Sequence, residues 1–76
     1  MSPAEAFGRA LRQRRTDAGL TQEQLALEAG LGRVFVSWLE TGKKQPTFKT
    51  MRKLAEALHC KAADIVGEAE GLLDAA

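Results

Sequence analysis

The stretch from Arg33 to Thr41 carries side chains that are unusual for the outward face of a helix. If it is helical, Val36 and Leu39 lie three apart on the inward face. The outward face then presents apolar, hydroxyl and aromatic groups in place of the usual lysine and glutamate. Arginine pairs with the edge of guanine, and small apolar groups contact the methyl of thymine. Such a face suits a DNA groove, and we predict base contacts by Arg33, Val34, Ser37 and Trp38.

Two aromatic side chains in this stretch, Phe35 and Trp38, have an alternative interpretation. Large aromatic residues are more often buried than functional, so both are also compatible with packing in the core or against a second copy. If the chain bound a protein and not DNA, the same two side chains would serve as anchors for that partner. Phe35 lies on the flank of the helix, where it would contact the DNA backbone or pack.

Further residues near this stretch have the chemistry to bind phosphate groups. Lys43 and Lys44 follow Gly42 in a short linker, residues 43–45, where a sugar-phosphate backbone would pass. Contacts of this kind set affinity and register, not sequence preference. Paired lysines in a loop are otherwise simply solvated. The predicted contacts to the DNA backbone are made by Gln22, Phe35, Thr41, Lys43, Lys44 and Lys49.

Two short helices joined by a tight turn would position these side chains. Thr21 and Gln24 have the spacing of a capping box, which starts a helix over residues 22–29. Gly30 stands where a left-handed residue would end that helix. The second helix follows over residues 33–41. Helix, glycine-containing turn and helix is the arrangement of the DNA-binding helix-turn-helix motif.

Three more helices are predicted, and together the five give an all-α fold class. The first runs from Pro3 or Ala4 to about Ala18, with Ser2 as its N-cap. The fourth is capped by Thr47 and ends near Leu58, and the fifth spans about 62–70. The residues predicted to face inward on the first helix are Phe7, Ala10, Leu11 and Ala18. Those on the fourth are Phe48, Met51, Leu54, Ala55 and Leu58.

Charge is distributed unevenly along the 76 residues. Residues 1–53 hold ten basic and five acidic side chains, a net charge of +5, whereas residues 54–76 hold one basic and five acidic, a net charge of −4. A basic front and an acidic back suit a protein that presents one end to phosphates. The whole chain is only +1, and a solvated mosaic of charges is the alternative interpretation.

Composition argues against several other classes of protein. No run of 18 apolar residues is present, so we expect no transmembrane helix, and the N-terminus lacks the apolar region of a signal peptide. We therefore expect a cytoplasmic protein. His59 and Cys60 are too few for a zinc site, and Cys60 has no partner for an internal disulfide. We expect no metal, cofactor or small-molecule ligand, and the absence of a catalytic constellation predicts that the chain is not an enzyme.

Residues 7–66 resemble the phage repressor and Cro type of helix-turn-helix domain, also called XRE-like. The residues that match this family in type and spacing are Leu11, Arg15, Gly19, Leu20, Thr21, Gln22, Leu25, Ala26, Ala29, Gly30, Ser37, Leu39, Glu40, Gly42, Pro46, Leu54, Ala55 and Leu58. The resemblance implies a lambda-repressor-like DNA-binding domain, a compact bundle of about five helices. In that fold the third helix enters the major groove.

The resemblance also implies roles for individual residues. Arg15 stands where the family has an arginine that pairs with a glutamate at the end of the recognition helix, here Glu40, so we expect a partly buried ion pair. Gln22 stands where a residue clamps the DNA backbone and buttresses the recognition helix. Arg14 replaces an apolar residue, and we expect it at the surface, touching a phosphate or nothing. Gly32 replaces the usual capping residue of the recognition helix.

Four apolar residues near the C-terminus exceed what a solvated tail needs. We predict a symmetric dimer contact through the C-terminal helix, about 62–73, made by Ile65, Val66, Leu72 and Leu73. The alternative is that Ile65 and Val66 only close the core. The chain is thus interpreted as one domain, 1–76, that binds double-stranded DNA as a homodimer on a pseudo-palindromic operator.

The small size of the chain also bears on its expected output. A freestanding domain of this size resembles Cro-like repressors and the small controller proteins of restriction-modification systems. Its effect on transcription would come from occupancy, either by blocking RNA polymerase or by touching it. An antitoxin of the same fold and a helical protein-interaction module are the alternatives.

Overall fold

The computed structural model describes residues 1–75, and its five helices confirm the predicted all-α class. Ala76, the last residue of the predicted domain, lies outside the described residues. The helices are α1 (Pro3–Asp17), α2 (Gln22–Ala29), α3 (Arg33–Glu40), α4 (Phe48–Ala57) and α5 (Ala62–Asp74). None of the described helices is both long and apolar enough to span a bilayer.

The helices begin at the capping residues that the sequence predicts. At α2 the Thr21 hydroxyl accepts a hydrogen bond from the Gln24 N–H at 3.0 Å, and the Gln24 side chain accepts one from the Thr21 N–H at 2.8 Å. Thr47 caps α4 through the N–H of Thr50. Gly30 ends α2 with φ +70°, a left-handed conformation that glycine adopts without strain. These local signals fix the lengths of the helices around the turn.

A single core receives side chains from all five helices. Its largest fully buried members are Leu11, Leu25, Val36, Leu39, Leu54 and Ile65. α1 packs against both α5 and α3, while α2 packs against α3 and α4. α3 is thereby held from two sides, with its remaining face directed outward.

Gly8 permits a close approach of α1 to α3. A Cβ atom added there would collide with the carbonyl oxygen of Leu39 and lie 2.5 Å from that of Glu40. Real Cβ atoms do not approach backbone oxygens so closely. The backbone of α1 can therefore lie against the end of α3 only if residue 8 lacks a side chain.

Two residues predicted to face the core are exposed. Ala18 follows the last residue of α1 as its C-cap, so the helical spacing no longer determines its direction. Phe48 is the first residue of α4 and is 68% exposed. One turn further along, Met51 packs against the core and Leu54 is fully buried, so the inward stripe of α4 begins after Phe48.

The C-terminal helix differs from its prediction in length and in the role of Ile65. α5 does not end at Glu70 but continues through Gly71 to Asp74. Ile65 is fully buried in the core, so its assignment to a dimer interface is wrong: the side chain has no surface to offer a second copy. Leu72 is exposed, while Val66 and Leu73 are half-buried at the edge of the core.

Arg14 has a partner within the chain. Its guanidinium lies 2.7 Å from a carboxylate oxygen of Glu68 on α5, which corrects the expectation of a phosphate contact or no contact. This hydrogen bond raises the pKa of Arg14 above its ordinary value, and both side chains remain partly exposed. The pair joins α1 to α5 at the surface.

Candidate nucleic-acid interface

α3 divides its residues between an inward and an outward face. Val36 and Leu39 are fully buried, as predicted. On the other side Val34 is 51% exposed and Trp38 is 40% exposed, with Arg33 exposed at the first position of the helix. Ser37 is half-buried beside them. The structure therefore brings the four predicted base-contacting residues to one end and one side of α3.

Gly32 caps α3 without a side-chain hydrogen bond. The N–H groups at the start of α3 therefore have no side-chain acceptor at the cap, and Arg33 is the first residue of the helix. A helix N-terminus and an arginine both favour negative groups.

A buried ion pair fixes the other end of α3 to α1, as expected from the resemblance. The Arg15 Nε donates to Glu40 Oε2 at 2.6 Å, and an Nη of the same guanidinium donates to Oε1 at 3.1 Å. The two side chains are only 11% and 2% exposed. Arg15 also donates to the carbonyl oxygen of Leu20 at 2.7 Å, which ties the turn before α2 into the same network.

Gln22 links α2 to this network. Its side-chain amide donates to Glu40 Oε1 at 3.0 Å, so it buttresses the end of α3. A side-chain amide has two N–H donors, and one remains after this hydrogen bond. Gln22 is the first residue of α2 and lines a shallow depression together with Thr21 and Arg33.

The loop after α3 folds back onto its last turn. Gly42 has φ +80°. The N–H of Lys43 donates to the carbonyl oxygen of Trp38 at 2.9 Å, and the N–H of Gly42 donates to the carbonyl oxygen of Leu39 at 3.3 Å. This pair of hydrogen bonds is the Schellman arrangement that often ends helices at glycine. Lys44 follows, and its ammonium lies 5.8 Å from the centre of the Trp38 ring.

The other residues predicted to contact the DNA backbone are in different environments. Lys43 and Lys49 are exposed. The Thr41 hydroxyl donates to the carbonyl oxygens of Ser37 and Trp38, at 3.1 and 3.3 Å, so its proton is engaged within the helix. Phe35 is half-buried and packs against the core, which agrees with the packing alternative stated for it.

No three metal-ligating side chains lie close together in the part of the chain that the structure describes. Cys60 is partly buried, and this burial raises the pKa of its thiol, although the charge of Arg14 acts in the opposite direction. A raised pKa keeps the thiol protonated near neutral pH, and a protonated thiol is a poor nucleophile and a poor metal ligand.

The resemblance implies that Gln22 buttresses the recognition helix, and its hydrogen bond to Glu40 agrees with this expectation. Two other features of this interface were not predicted from the sequence, namely the close approach of Gly8 to α3 and the position of Lys44 over Trp38. Only the last had a local signal. Glycine at residue 42, directly after a helix, favours the motif that turns the following residues back onto the helix.

Comparison with known proteins gives consistent results. Residues 6–65 match the family described as helix-turn-helix domain. An uncharacterized HTH-type transcriptional regulator, y4dJ of Sinorhizobium fredii (strain NBRC 101917 / NGR234), is 36% identical over 52 residues, which span 68% of either chain.

Solved structures of other proteins are similar to this chain over most of its length. The clp gene regulator ClgR from Corynebacterium glutamicum superposes with a TM-score of 0.91 at 33% identity, covering 96% of this chain and 95% of that chain. The restriction-modification controller protein C.AhdI from Aeromonas hydrophila gives a TM-score of 0.80 at 37% identity, covering 82% of this chain and 94% of that chain.

Proposed function

Because the chain belongs to the helix-turn-helix domain family, we propose that it is a sequence-specific DNA-binding regulator of transcription that acts as a homodimer. α3 would lie in the major groove as the recognition helix. Within this proposal Arg33, Val34, Ser37 and Trp38 read base edges. Gln22, Lys43, Lys44 and Lys49 hold the sugar-phosphate backbone, with Thr41 and the edge of Phe35 beside it.

The outward face of α3 is the observation that carries this proposal. Val36, Leu39 and Glu40 are the buried residues that pack α3 against the rest of the chain. The apolar and aromatic groups on the other side, with Arg33 at the tip, are left exposed. The donors of an arginine can pair with acceptors on base edges, and exposed apolar groups can contact the thymine methyl in a major groove. The shape of the neighbouring structures and the family agree with this role.

A homodimer is proposed on different grounds. Val66 and Leu73 line an apolar groove between α1, α4 and α5, together with Phe7 and Met51, and Leu72 is exposed on α5. Two copies joined through this region would carry two recognition helices. For successive major grooves on one side of DNA the two helices must lie about 34 Å apart.

The output that we propose is autoregulation. Bound at its own promoter, the helix-turn-helix domain would act through occupancy, either by excluding RNA polymerase or by contacting it. This part of the proposal draws on the likeness to a restriction-modification controller protein and a clp gene regulator, whose names concern gene regulation.

Binding of the full chain to the duplex directly upstream of its own coding sequence tests the proposal. The affinity is measured across a salt series, beside a random duplex of the same length. We expect a preference for the upstream duplex and a steep fall in affinity with salt, because phosphate contacts release counterions. Arg33→Ala should reduce the preference by about tenfold, since a bidentate base contact contributes about 1–3 kcal/mol of discrimination.

Lys61→Ala is the matched control, because Lys61 is a basic residue outside the predicted contacts. It should leave the preference unchanged. Equal binding of the upstream and random duplexes at low salt would refute the autoregulatory part. Binding of neither duplex, with salt-insensitive binding to a protein instead, would favour the interaction module.

A further inference from the structure

We infer that Lys44 is a positioning residue for base recognition: its ammonium holds the Trp38 indole in one orientation on the outward face of α3. The inference rests on the proposed DNA-binding function. It departs from the sequence-based view of Lys44 as one of two equivalent phosphate-binding lysines. Its starting observation is the distance of 5.8 Å between the Lys44 ammonium and the centre of the Trp38 ring.

The backbone brings Lys44 to this place. Gly42 adopts φ +80°, which turns the chain back, and the N–H groups of Lys43 and Lys44 both donate to the Trp38 carbonyl oxygen, at 2.9 and 3.4 Å. Lys44 is thus anchored by its main chain to the residue whose ring its side chain covers. This main-chain anchor holds the Lys44 side chain near the ring, which lowers the conformational entropy that the side chain loses when it makes the contact.

Residue 42 must be glycine for this route to exist. Its positive φ disfavours other residues, and an added Cβ atom would lie 2.7 Å from the Cγ of Glu5. The contact between loop and helix is therefore built into the way α3 ends, not left to two mobile surface side chains.

Trp38 requires such a contact if it is to read bases. Residue Trp38 is 40% exposed, so its neighbours cover only part of it. A cation over the face of an indole is attracted by the negative charge of the ring face. With the face covered by Lys44, the edge of the ring and its N–H donor are what remain to meet DNA.

The two neighbouring lysines should therefore differ in effect. Lys43 is exposed, and the loop gives it the same backbone acceptor as Lys44, but the ammonium over the ring belongs to Lys44. Loss of Lys43 removes one positive charge from the DNA-facing surface. Loss of Lys44 removes one positive charge and also frees the Trp38 ring.

The first test needs no DNA. Trp38 is the only tryptophan and the chain has no tyrosine, so its indole fluorescence reports on this site alone. We expect Lys44→Ala to increase the quenching of Trp38 by acrylamide in the free full-length protein. Lys43→Ala should leave the quenching unchanged, and Lys44→Arg should restore it, because a guanidinium also stacks on an indole.

The second test measures sequence preference. The wild-type chain selects duplexes from a random-sequence pool, and each variant is then compared for affinity to the selected duplex and to random duplex. Lys44→Ala should lower the ratio of the two affinities by about twofold to fivefold, the range expected for loss of a cation–π contact at an exposed site. Lys43→Ala should lower both affinities by the same factor and keep the ratio, and Lys44→Arg should recover most of it.

Three outcomes separate the proposals. Unchanged quenching in Lys44→Ala, with its thermal unfolding intact, overturns the inference. Increased quenching with an unchanged affinity ratio also overturns it, because the ring would then play no part in preference. If the wild-type chain selects no sequence from the pool, the proposed function fails, whereas the quenching data still decide whether Lys44 covers Trp38.

Discussion

Two ion pairs of this chain have different environments at the scale of single residues. Arg15 and Glu40 form a pair whose side chains are 11% and 2% exposed, whereas Arg14 and Glu68 are 31% and 42% exposed. Removal of one partner from a buried pair leaves a charge without solvent, at a cost of about 3–5 kcal/mol. An exposed pair contributes about 0–1 kcal/mol. The chain thus offers a comparison between a buried and an exposed ion pair.

Glu40→Gln should lower the free energy of unfolding by about 3 kcal/mol, since the Arg15 guanidinium loses its carboxylate while remaining buried. Glu68→Gln is the matched control and should lower it by less than about 1 kcal/mol. Urea unfolding of both variants checks the difference. Equal losses would show that burial does not distinguish the two pairs.

Glu5 gives a prediction for pH. The Ser2 N–H donates to its carboxylate at 2.8 Å, and this hydrogen bond holds the pKa of Glu5 below its ordinary value in the folded chain. A lowered folded pKa means that the stabilising contribution is present above the unfolded pKa, about 4.3, and is lost as the pH falls through the folded pKa.

Glu5→Gln should therefore be less stable than the wild-type chain at pH 7, and the two should converge as acidification takes the pH from the unfolded pKa through the lowered folded pKa. Thermal unfolding at a series of pH values gives the comparison. Gln24, which occupies the same position of a capping box in α2, shows that an amide retains the hydrogen bond without the charge. A stability difference that stayed constant with pH would contradict the prediction.

The contact between α1 and α3 yields a prediction at the scale of elements. Gly8→Ala places a Cβ atom against the carbonyl oxygens of Leu39 and Glu40, so α1 and α3 must move apart. We expect a loss of about 1–3 kcal/mol of stability, the usual cost of overpacking. Thermal unfolding measures it.

Gly67→Ala is the control for Gly8→Ala, because Gly67 lies inside α5 with open space where a Cβ atom would be. It should stabilise the chain by about 0.5–1 kcal/mol, since alanine favours helices over glycine. The two identical substitutions are expected to have opposite signs. The same sign in both would show that the close approach at Gly8 carries no energetic weight.

Elements whose limits depend on nearby residues were predicted well from sequence. Thr21 and Gln24 lie three residues apart and cap α2 as their types indicate, and Gly30 ends it with positive φ. Val36 and Leu39 follow the helical period into the core. Such features need no knowledge of the rest of the chain.

Features that depend on distant elements were not predictable in the same way. Arg14 meets Glu68 across 54 residues, and Gly8 meets the carbonyl of Glu40 on another helix. Helical spacing alone could not show that α4 turns Phe48 outward or that Ile65 points into the core. The direction of a face depends on where the neighbouring helices lie, and the sequence pattern gives only the period.

At the scale of the whole molecule, the proposed dimer predicts that dimerisation depends on exposed residues of α5. Leu72→Glu places a charge on an exposed apolar residue of that helix and should raise the dimer dissociation constant by at least about tenfold, as expected for loss of an important interface residue. Leu27→Glu is the control, because Leu27 is 82% exposed on α2. Sedimentation equilibrium of both variants distinguishes them, and equal dissociation constants would place the interface elsewhere.

The separation of roles within α3 has a consequence for redesign. Val36, Leu39 and Glu40 anchor the helix, while Arg33, Val34 and Trp38 lie outside the core. Substitutions at the outward residues should leave the fold intact, because none of these side chains belongs to the core cluster. The sequence preference of the helix can therefore be redesigned. A library randomised only at the outward positions would sample new DNA-sequence preferences on an unchanged fold.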